Sequence, residues 1–138
     1  TLALFAAGNI LGTILGGYLA DRFTNRLRIY AISMVTSGVA SLALFGWPLD
    51  LATSVALGFL YMLLNAIGRP ALMAALAGVS DEVRGTVMGL IGTCASVGWV
   101  GAAALGAWVL VFAGFAGFGP LILALGLIGA ALALVRRR

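Results

Sequence analysis

Residues 17–28 read GYLADRFTNRLR, and this short connector separates two uncharged apolar runs. The run before it, residues 1–16, is TLALFAAGNILGTILG, and the run after it, residues 29–47, is IYAISMVTSGVASLALFGW. Each run, with its flanking residues, could cross a bilayer as a helix. Cytoplasmic loops of membrane proteins carry an excess of arginine and lysine, so the connector is predicted to be a cytoplasmic loop.

The composition of the whole chain is that of an integral membrane protein. Apolar residues make up 63% of it and charged residues 9%, whereas soluble domains contain about 45–50% and about 25%. With 138 residues and about 20 residues per span, we predict an all-α bundle of five transmembrane helices, in a single domain covering residues 1–138. The predicted spans are residues 1–20, 28–47, 51–77, 85–113 and 120–135.

The beginning of the chain predicts that a segment is missing before it. The sequence starts at Thr1, without an initiator methionine, and its first apolar run is already under way. No basic segment precedes that run, which argues against a signal peptide. We therefore expect a helical domain that is incomplete at the N-terminus.

Several classes of function are disfavoured by the residues present. The net charge is +4, but seven of the eight arginines lie in loops or at the tail, where membrane topology explains them, so no nucleic-acid partner is expected. The chain has no histidine, and Cys94 is its single cysteine, so we predict no metal site and no cofactor. No ionisable or nucleophilic pair sits at usable spacing within a span. We therefore predict no catalytic residues and no enzyme activity.

A second informative stretch, residues 69–90, reads RPALMAALAGVSDEVRGTVMGL. It joins a proline-containing apolar span to an acidic pair and then to an Arg-Gly step. Ser80 is predicted to cap the following helix, with Asp81 and Glu82 in its first turn, where the helix dipole favours negative charge. Arg84 and Gly85 complete this predicted cytoplasmic loop.

Together the two stretches resemble transporters of the major facilitator superfamily. The connector is similar to the motif GxxxDRxGR(R/K), which follows the second helix of each half of these proteins. The matching positions are Gly17, Asp21, Arg22 and Arg26. Thr24 stands where the family usually has glycine, and Asn25 where it usually has a basic residue. Residues 69–90 resemble the segment that links the fourth and fifth helices of a half.

The resemblance implies part of a secondary active transporter that moves a small solute by alternating access, with one half rocking against the other. Proton-coupled efflux is one form of this activity, and a uniporter is another. In the family the first motif latches helices on the cytoplasmic side, which implies a gating role for Gly17, Asp21, Arg22 and Arg26. The implied partners are the lipid bilayer, the missing remainder of the transporter and a small-molecule substrate.

The five spans fit either half of a twelve-helix transporter whose first helix is missing. We favour helices eight to twelve over helices two to six, because the chain ends in a triple arginine directly after its last span. Gly101 is followed by Ala102 rather than by the proline found in the N-terminal half of many drug antiporters of the family. That difference also favours the C-terminal half.

One charged residue, Arg69, lies well inside a span. Such an arginine costs about 2.5–3.5 kcal/mol at the helix centre, so it needs a partner or a route to water. It either snorkels to the cytoplasmic interface or pairs with a loop carboxylate, or it faces a central cavity and meets an anionic substrate or a coupling carboxylate on the missing part of the protein. Asn65 and Tyr61 precede it at four-residue spacing and share its face. With Asn9 of the first span they form the candidate cavity lining, and Pro70 is predicted to kink the helix.

Glycines recur along two of the spans and support an alternative function. Gly8, Gly12 and Gly16 lie four residues apart, and the fourth span holds six more glycines. Such positions let helix backbones approach closely in a membrane. The alternative to transport is therefore a small non-transporting membrane subunit that packs against partner helices.

Arginine placement also predicts the orientation of the chain. The residue 17–28 connector, Arg84 and the terminal Arg136–Arg138 alternate with connectors that carry no basic residue. By the positive-inside rule the N-terminus is outside and the C-terminus cytoplasmic. We expect a multi-pass protein of the cell (inner) membrane.

Overall fold

The structure is a computed structural model that describes residues 2–78 and 80–135, with only the backbone of Asp81. Its elements are α1 (Leu2–Arg22), α2 (Arg26–Gly46), α3 (Leu51–Leu76), α4 (Asp81–Ala113), a 3-10 turn (Phe115–Gly117) and α5 (Phe118–Val135). The described residues contain no strand. All 5 helices are long and apolar enough to cross a membrane. The predicted all-α bundle of five transmembrane helices is therefore confirmed.

The helices are arranged around α2, which packs against α3 on one side and α5 on the other. α1 packs against α3, so the order across the bundle is α1, α3, α2, α5. We call the end that holds the α1–α2 connector the arginine end. The opposite end, where residues 47–50 join α2 to α3, is the tryptophan end.

Close backbone contact joins α1 to α3. Gly8, Gly12 and Gly16 are buried in this contact. A Cβ atom on Gly8 would lie 3.0 Å from the carbonyl oxygen of Phe59, and one on Gly16 would overlap the backbone of Ile67. The four-residue spacing of these glycines therefore lets the two helices approach closely, as predicted.

Serine hydroxyls connect α2 to both of its neighbours. The hydroxyl of Ser33 donates to the carbonyl oxygen of Leu64 in α3. On the other side, the hydroxyl of Ser41 donates to the carbonyl oxygen of Gly119 at 3.2 Å. Each such bond between membrane helices contributes about 0.6 kcal/mol on average. These hydroxyls help to set the position of α2 as the central helix.

The N-terminus of α3 is capped by Asp50, a role that the sequence analysis did not assign. Its Oδ2 accepts from the backbone N–H groups of Ala52 at 3.1 Å and Thr53 at 3.2 Å. The Thr53 hydroxyl donates to Oδ1. These hydrogen bonds, that from the Thr53 side chain first, lower the pKa of the Asp50 carboxyl below its usual range. The signal was present in the sequence as an aspartate directly before a long apolar run.

α3 continues through Pro70 as one helix of 26 residues. At 1.5 Å per residue it is about 39 Å long, against a hydrocarbon core of about 30 Å. Pro70 has no N–H to donate to the carbonyl of Ala66, four residues earlier. The kink at Pro70 stays a prediction.

α4 packs against little else in the described residues. It meets α5 near the 3-10 turn, where a Cβ atom on Gly106 would lie 3.5 Å from the ring of Phe118. Along the rest of its length a Cβ atom on any of the glycines would meet nothing within 4 Å, and Trp99 is 78% exposed. The expected close packing of these glycines is not made within the part of the chain that the structure describes.

α4 also begins earlier than the span predicted at residues 85–113, because its first turn includes Asp81 and Glu82. Ser80 occupies the N-cap position, as predicted, but its hydroxyl makes no capping hydrogen bond. The predicted side-chain cap is therefore wrong. The backbone carbonyl of Ser80 instead accepts from the N–H of Val83 at 3.2 Å.

Candidate functional site

One side of α3 is left open by the packing of its neighbours. The α1 glycines meet the side of α3 that carries Phe59, Leu63 and Ile67. α2 meets the side that carries Leu64 and Gly68. On a helix with 3.6 residues per turn, these contacts leave a third side. We call it the α3 open face, and its residues are Tyr61, Met62, Asn65 and Arg69.

Arg69 is exposed on the α3 open face, within the predicted span. Its Nη2 donates to Oδ1 of Asn65 at 3.3 Å, one helical turn earlier. No carboxylate among the described side chains forms an ion pair with it, since those residues are Asp21, Asp50 and Glu82, all at helix ends. The arginine therefore has a neutral partner on its own helix and most of its donors remain available.

An aromatic-lined cavity of about 580 Å³ lies next to this face, at the tryptophan end. Phe5 of α1, Phe45 of α2 and Phe115 of the 3-10 turn contribute rings from separate parts of the chain. The wall formed by α3 includes Tyr61 and Met62. Tyr61 thus belongs both to the cavity and to the α3 open face, where Asn65 follows one turn later.

Asn9 lies at the edge of the same side of the bundle. It lines a shallow depression with Phe5 and Met62, between α1 and α3. Its side chain is partly exposed, and its backbone carbonyl accepts from the Thr13 hydroxyl at 2.8 Å. The structure therefore brings Asn9 beside Met62 of the α3 open face, although the two residues are more than fifty positions apart in the sequence.

At the arginine end, Arg26 connects three helices. Its Nε donates to the carbonyl oxygen of Ala20 in α1 at 3.3 Å, and its Nη1 donates to that of Ala74 in α3 at 2.9 Å. The last carbonyls of a helix lack partners within the helix and carry partial negative charge, which a cation stabilises. Arg26, which is the first residue of α2, therefore holds the ends of α1 and α3 together.

The other three matching positions of the first motif are Gly17, Asp21 and Arg22, and among the described residues no hydrogen bond joins their side chains to another helix. Arg22 donates to the Tyr18 hydroxyl at 2.6 Å, within its own helix. Asp21 is exposed and forms no ion pair with any described side chain. A Cβ atom on Gly17 would meet nothing within 4 Å. Within the described residues, Arg26 alone of these four positions joins separate helices.

The start of α4 lies past the end of α3. Glu82, Arg84 and Gly85 are all exposed in its first turns, and the side chain of Asp81 lies outside the described residues. The terminal Arg136–Arg138, predicted to lie on the cytoplasmic side, also lie outside them.

Sequence reasoning missed the cavity. It selected Tyr61, Asn65 and Arg69 because four-residue spacing on one helix is readable locally. Phe5, Phe45 and Phe115 come from three other segments, so no local pattern connects them. The one available signal was an aromatic residue near each helix end at the same predicted side of the membrane.

Comparison with known proteins places this arrangement in a family. The family model of the Major Facilitator Superfamily matches residues 1–138. No curated protein and no solved structure matches the chain significantly. The match covers all five apolar helices, so the chain is a multi-pass integral membrane protein. It belongs to the major facilitator superfamily and is part of a membrane transporter.

Proposed function

We propose that the chain is part of a secondary active transporter that moves a small solute by alternating access, and that the α3 open face lines the route. The observation that carries this proposal is the position of Arg69. It is a charged residue within a membrane span, exposed on a side of α3 that neither α1 nor α2 covers at that level of the helix. Charges inside spans are costly and almost always face a bundle interior or a water-filled cavity.

The polar residues around Arg69 support the same route. Asn65 is hydrogen-bonded to it, Tyr61 lies one turn further along, and Asn9 approaches the same side from α1. A snorkelling arginine would need only a path to the interface, without further polar residues on its face. We therefore propose that Asn9, Tyr61, Asn65 and Arg69 line the solute cavity, and that Pro70 lets α3 bend beside it.

We assign the gate to the arginine end. Arg26 already holds α1 and α3 through backbone carbonyls, so it serves as a fixed clamp. Asp21 is exposed and without an ion pair among the described side chains, so its carboxylate is available to a partner that changes between states. Arg22, on its own helix, and Asp81, Glu82 and Arg84 in the first turn of α4 supply further charges at this end, and the uncharged Gly85 follows them. Exchange of such contacts can bias a bistable gate.

The orientation follows from the same charges. The arginine end carries Arg22, Arg26 and Arg28, and the tryptophan end carries Trp47 and Asp50 without a basic residue. We propose that the arginine end is cytoplasmic, which puts the N-terminus outside and the C-terminus inside. The proposed location is the cell (inner) membrane.

The open surface of α4 supports a place within a larger transporter. A Cβ atom on its glycines would meet nothing within 4 Å in the described residues, except at Gly106 near the 3-10 turn. We propose that the remainder of the transporter covers this helix, with the five helices as helices eight to twelve. The acidic residues of the chain all lie at helix ends, so if transport is proton-coupled, we propose that the proton-binding group belongs to that remainder.

Cysteine accessibility tests the route. In the natural full-length protein carrying Cys94→Ala, Asn65→Cys is expected to react with a membrane-impermeant thiol reagent applied from either side of the membrane. Val39→Cys, exposed on α2 away from the α3 open face, is the matched control; we propose that it faces lipid, so it should not react. If Asn65→Cys reacts from neither side, the route is refuted, and a non-transporting subunit that packs through α4 becomes the better account.

A further inference from the structure

We infer that the α3 open face and the adjoining cavity take an amphipathic organic anion, with an aromatic body in the cavity and its anionic group at Arg69. This inference rests on the proposed function, since it names the class of solute for the same route. It depends on the chemistry around Arg69, the lining of the cavity, and the spacing of their residues along α3.

The charge of the solute follows from Arg69 and Asn65. The guanidinium has five N–H donors in a planar fork that matches a carboxylate. One of its nitrogens is engaged with Asn65, and no described carboxylate neutralises it. Because Asn65 accepts that bond through Oδ1, its amide group keeps two donors for the same anion. The pair therefore offers donors to an anion and would repel a cation.

The body of the solute follows from the cavity. Its volume of about 580 Å³ lies within the range of about 300–1,000 Å³ of small-molecule sites. The rings of Phe5, Phe45, Trp47, Tyr61 and Phe115 line it, and Met62 adds a thioether that packs well against rings. Aromatic pairs gain from offset or edge-to-face contact beyond simple burial. A sugar would find few hydrogen-bond partners there, whereas one or two aromatic rings would be well surrounded.

The spacing along α3 places the cavity and the Arg69–Asn65 pair within reach of one solute. Tyr61 and Met62 are the residues of α3 lining the cavity that lie nearest to Asn65 in the sequence, and Asn65 follows Tyr61 by one turn. That separation is about 6 Å along the helix axis. The Arg69 guanidinium reaches back to the level of Asn65, because the two are hydrogen-bonded. A rigid arenecarboxylate spans such a distance between its ring and its carboxylate, whereas an inorganic anion would leave the cavity unfilled.

Ligand binding to the natural full-length protein tests this inference. The protein is placed in phosphatidylcholine nanodiscs and titrated with radiolabelled biphenyl-4-carboxylate. Unlabelled biphenyl-4-carboxamide and acetate are the competitors. We expect saturable binding of the carboxylate, and competition by the amide and by acetate at least about tenfold weaker, since a hydrogen bond to a charged group is worth about tenfold or more.

Variants then locate the anionic group. Arg69→Gln should weaken binding about tenfold or more, while Arg69→Lys, which keeps the charge but not the fork, should weaken it less. Arg28→Gln removes an exposed arginine at the arginine end, away from the α3 open face, and should bind normally. We expect Arg69→Lys to elute from gel filtration at the wild-type volume, which would show that the position tolerates substitution.

Three results would overturn the inference. If the amide competes as well as the carboxylate, the negative charge plays no role. If acetate competes as well as the carboxylate, the aromatic ring plays no role. Loss of carboxylate binding when phosphatidylglycerol replaces phosphatidylcholine in the nanodiscs would show that an anionic lipid occupies the site. If Asn65→Cys reacts from both sides of the membrane and the carboxylate does not bind, the transport route stands and only this solute class fails. If Asn65→Cys does not react and the carboxylate does not bind, both proposals fail.

Discussion

The guanidinium of Arg26 lies 2.9 Å from the carbonyl oxygen of Ala74, so the first residue of α2 is bound to the end of α3. A second bond from the same side chain reaches Ala20 at the end of α1. One residue of the connector thus holds together the three helices whose arrangement leaves the α3 open face. At the arginine end, Arg26 is therefore hydrogen-bonded to two helices, whereas Asp21 is exposed.

Replacing Arg26 should therefore destabilise the bundle. Arg26→Gln removes a charge-assisted contact with two helix ends, so we expect a lower melting temperature, equivalent to about 1–3 kcal/mol. Thermal unfolding of the purified full-length protein in detergent measures this. Arg22→Gln is the matched control, because Arg22 bonds within its own helix, and it should change the melting temperature little. If both variants lowered the melting temperature equally, Arg26 would not stabilise the contact between α1 and α3.

Two adjacent glycines of α1 should respond differently to alanine. A methyl group on Gly16 would overlap the backbone of Ile67, whereas one on Gly17 would meet nothing within 4 Å. Gly16→Ala forces α1 away from α3, and such overpacking costs about 1–3 kcal/mol. Gly17→Ala should melt at or above the wild-type temperature, because alanine favours the helix. Equal melting temperatures would show that α1 and α3 do not approach as closely as described.

Asp21 should affect the balance between conformations more than stability. Its exposed carboxylate has no ion pair among the described side chains, so Asp21→Asn should leave the melting temperature almost unchanged. If Asp21 biases the gate, the ratio of Asn65→Cys labelling from the two sides should change about fivefold or more. Asp50→Asn makes the same substitution at the tryptophan end and should leave the ratio unchanged. A ratio unaffected by Asp21→Asn would exclude this gating role.

Asp50 should make part of the stability depend on pH. Its pKa is lowered in the folded state by hydrogen bonds from Thr53 and Ala52. A depressed folded-state pKa means that the stabilisation is present above the unfolded pKa and is lost as the pH falls through the folded value. Asp50→Ala should therefore melt below the wild type near neutral pH, and the gap should shrink by about pH 3.

The control for that experiment is Asp50→Asn, because asparagine caps helices as well as aspartate but does not titrate in this range. Its melting temperature should stay close to the wild type near neutral pH. A gap between wild type and Asp50→Ala that stays constant down to about pH 3 would mean that the carboxylate contributes nothing through its charge.

The sequence by itself determined the membrane class, the five helices and the polar stripe of Tyr61, Asn65 and Arg69. These features depend on apolar run length and on helical spacing, which are local properties. The same local reasoning missed the cap at Asp50 and wrongly gave Ser80 a side-chain cap, because capping bonds depend on the dihedral angles of a few residues rather than on residue type alone.

Only the tertiary structure decided which side of each helix is covered. The membrane helices are apolar on nearly all sides, so their sequence pattern does not distinguish a face that meets a neighbour from one that meets lipid. The contact of Gly16 with Ile67 and that of Ser33 with Leu64 leave the face of Arg69 open. The cavity likewise exists only because packing brings Phe5, Phe45 and Phe115 to one end of the bundle.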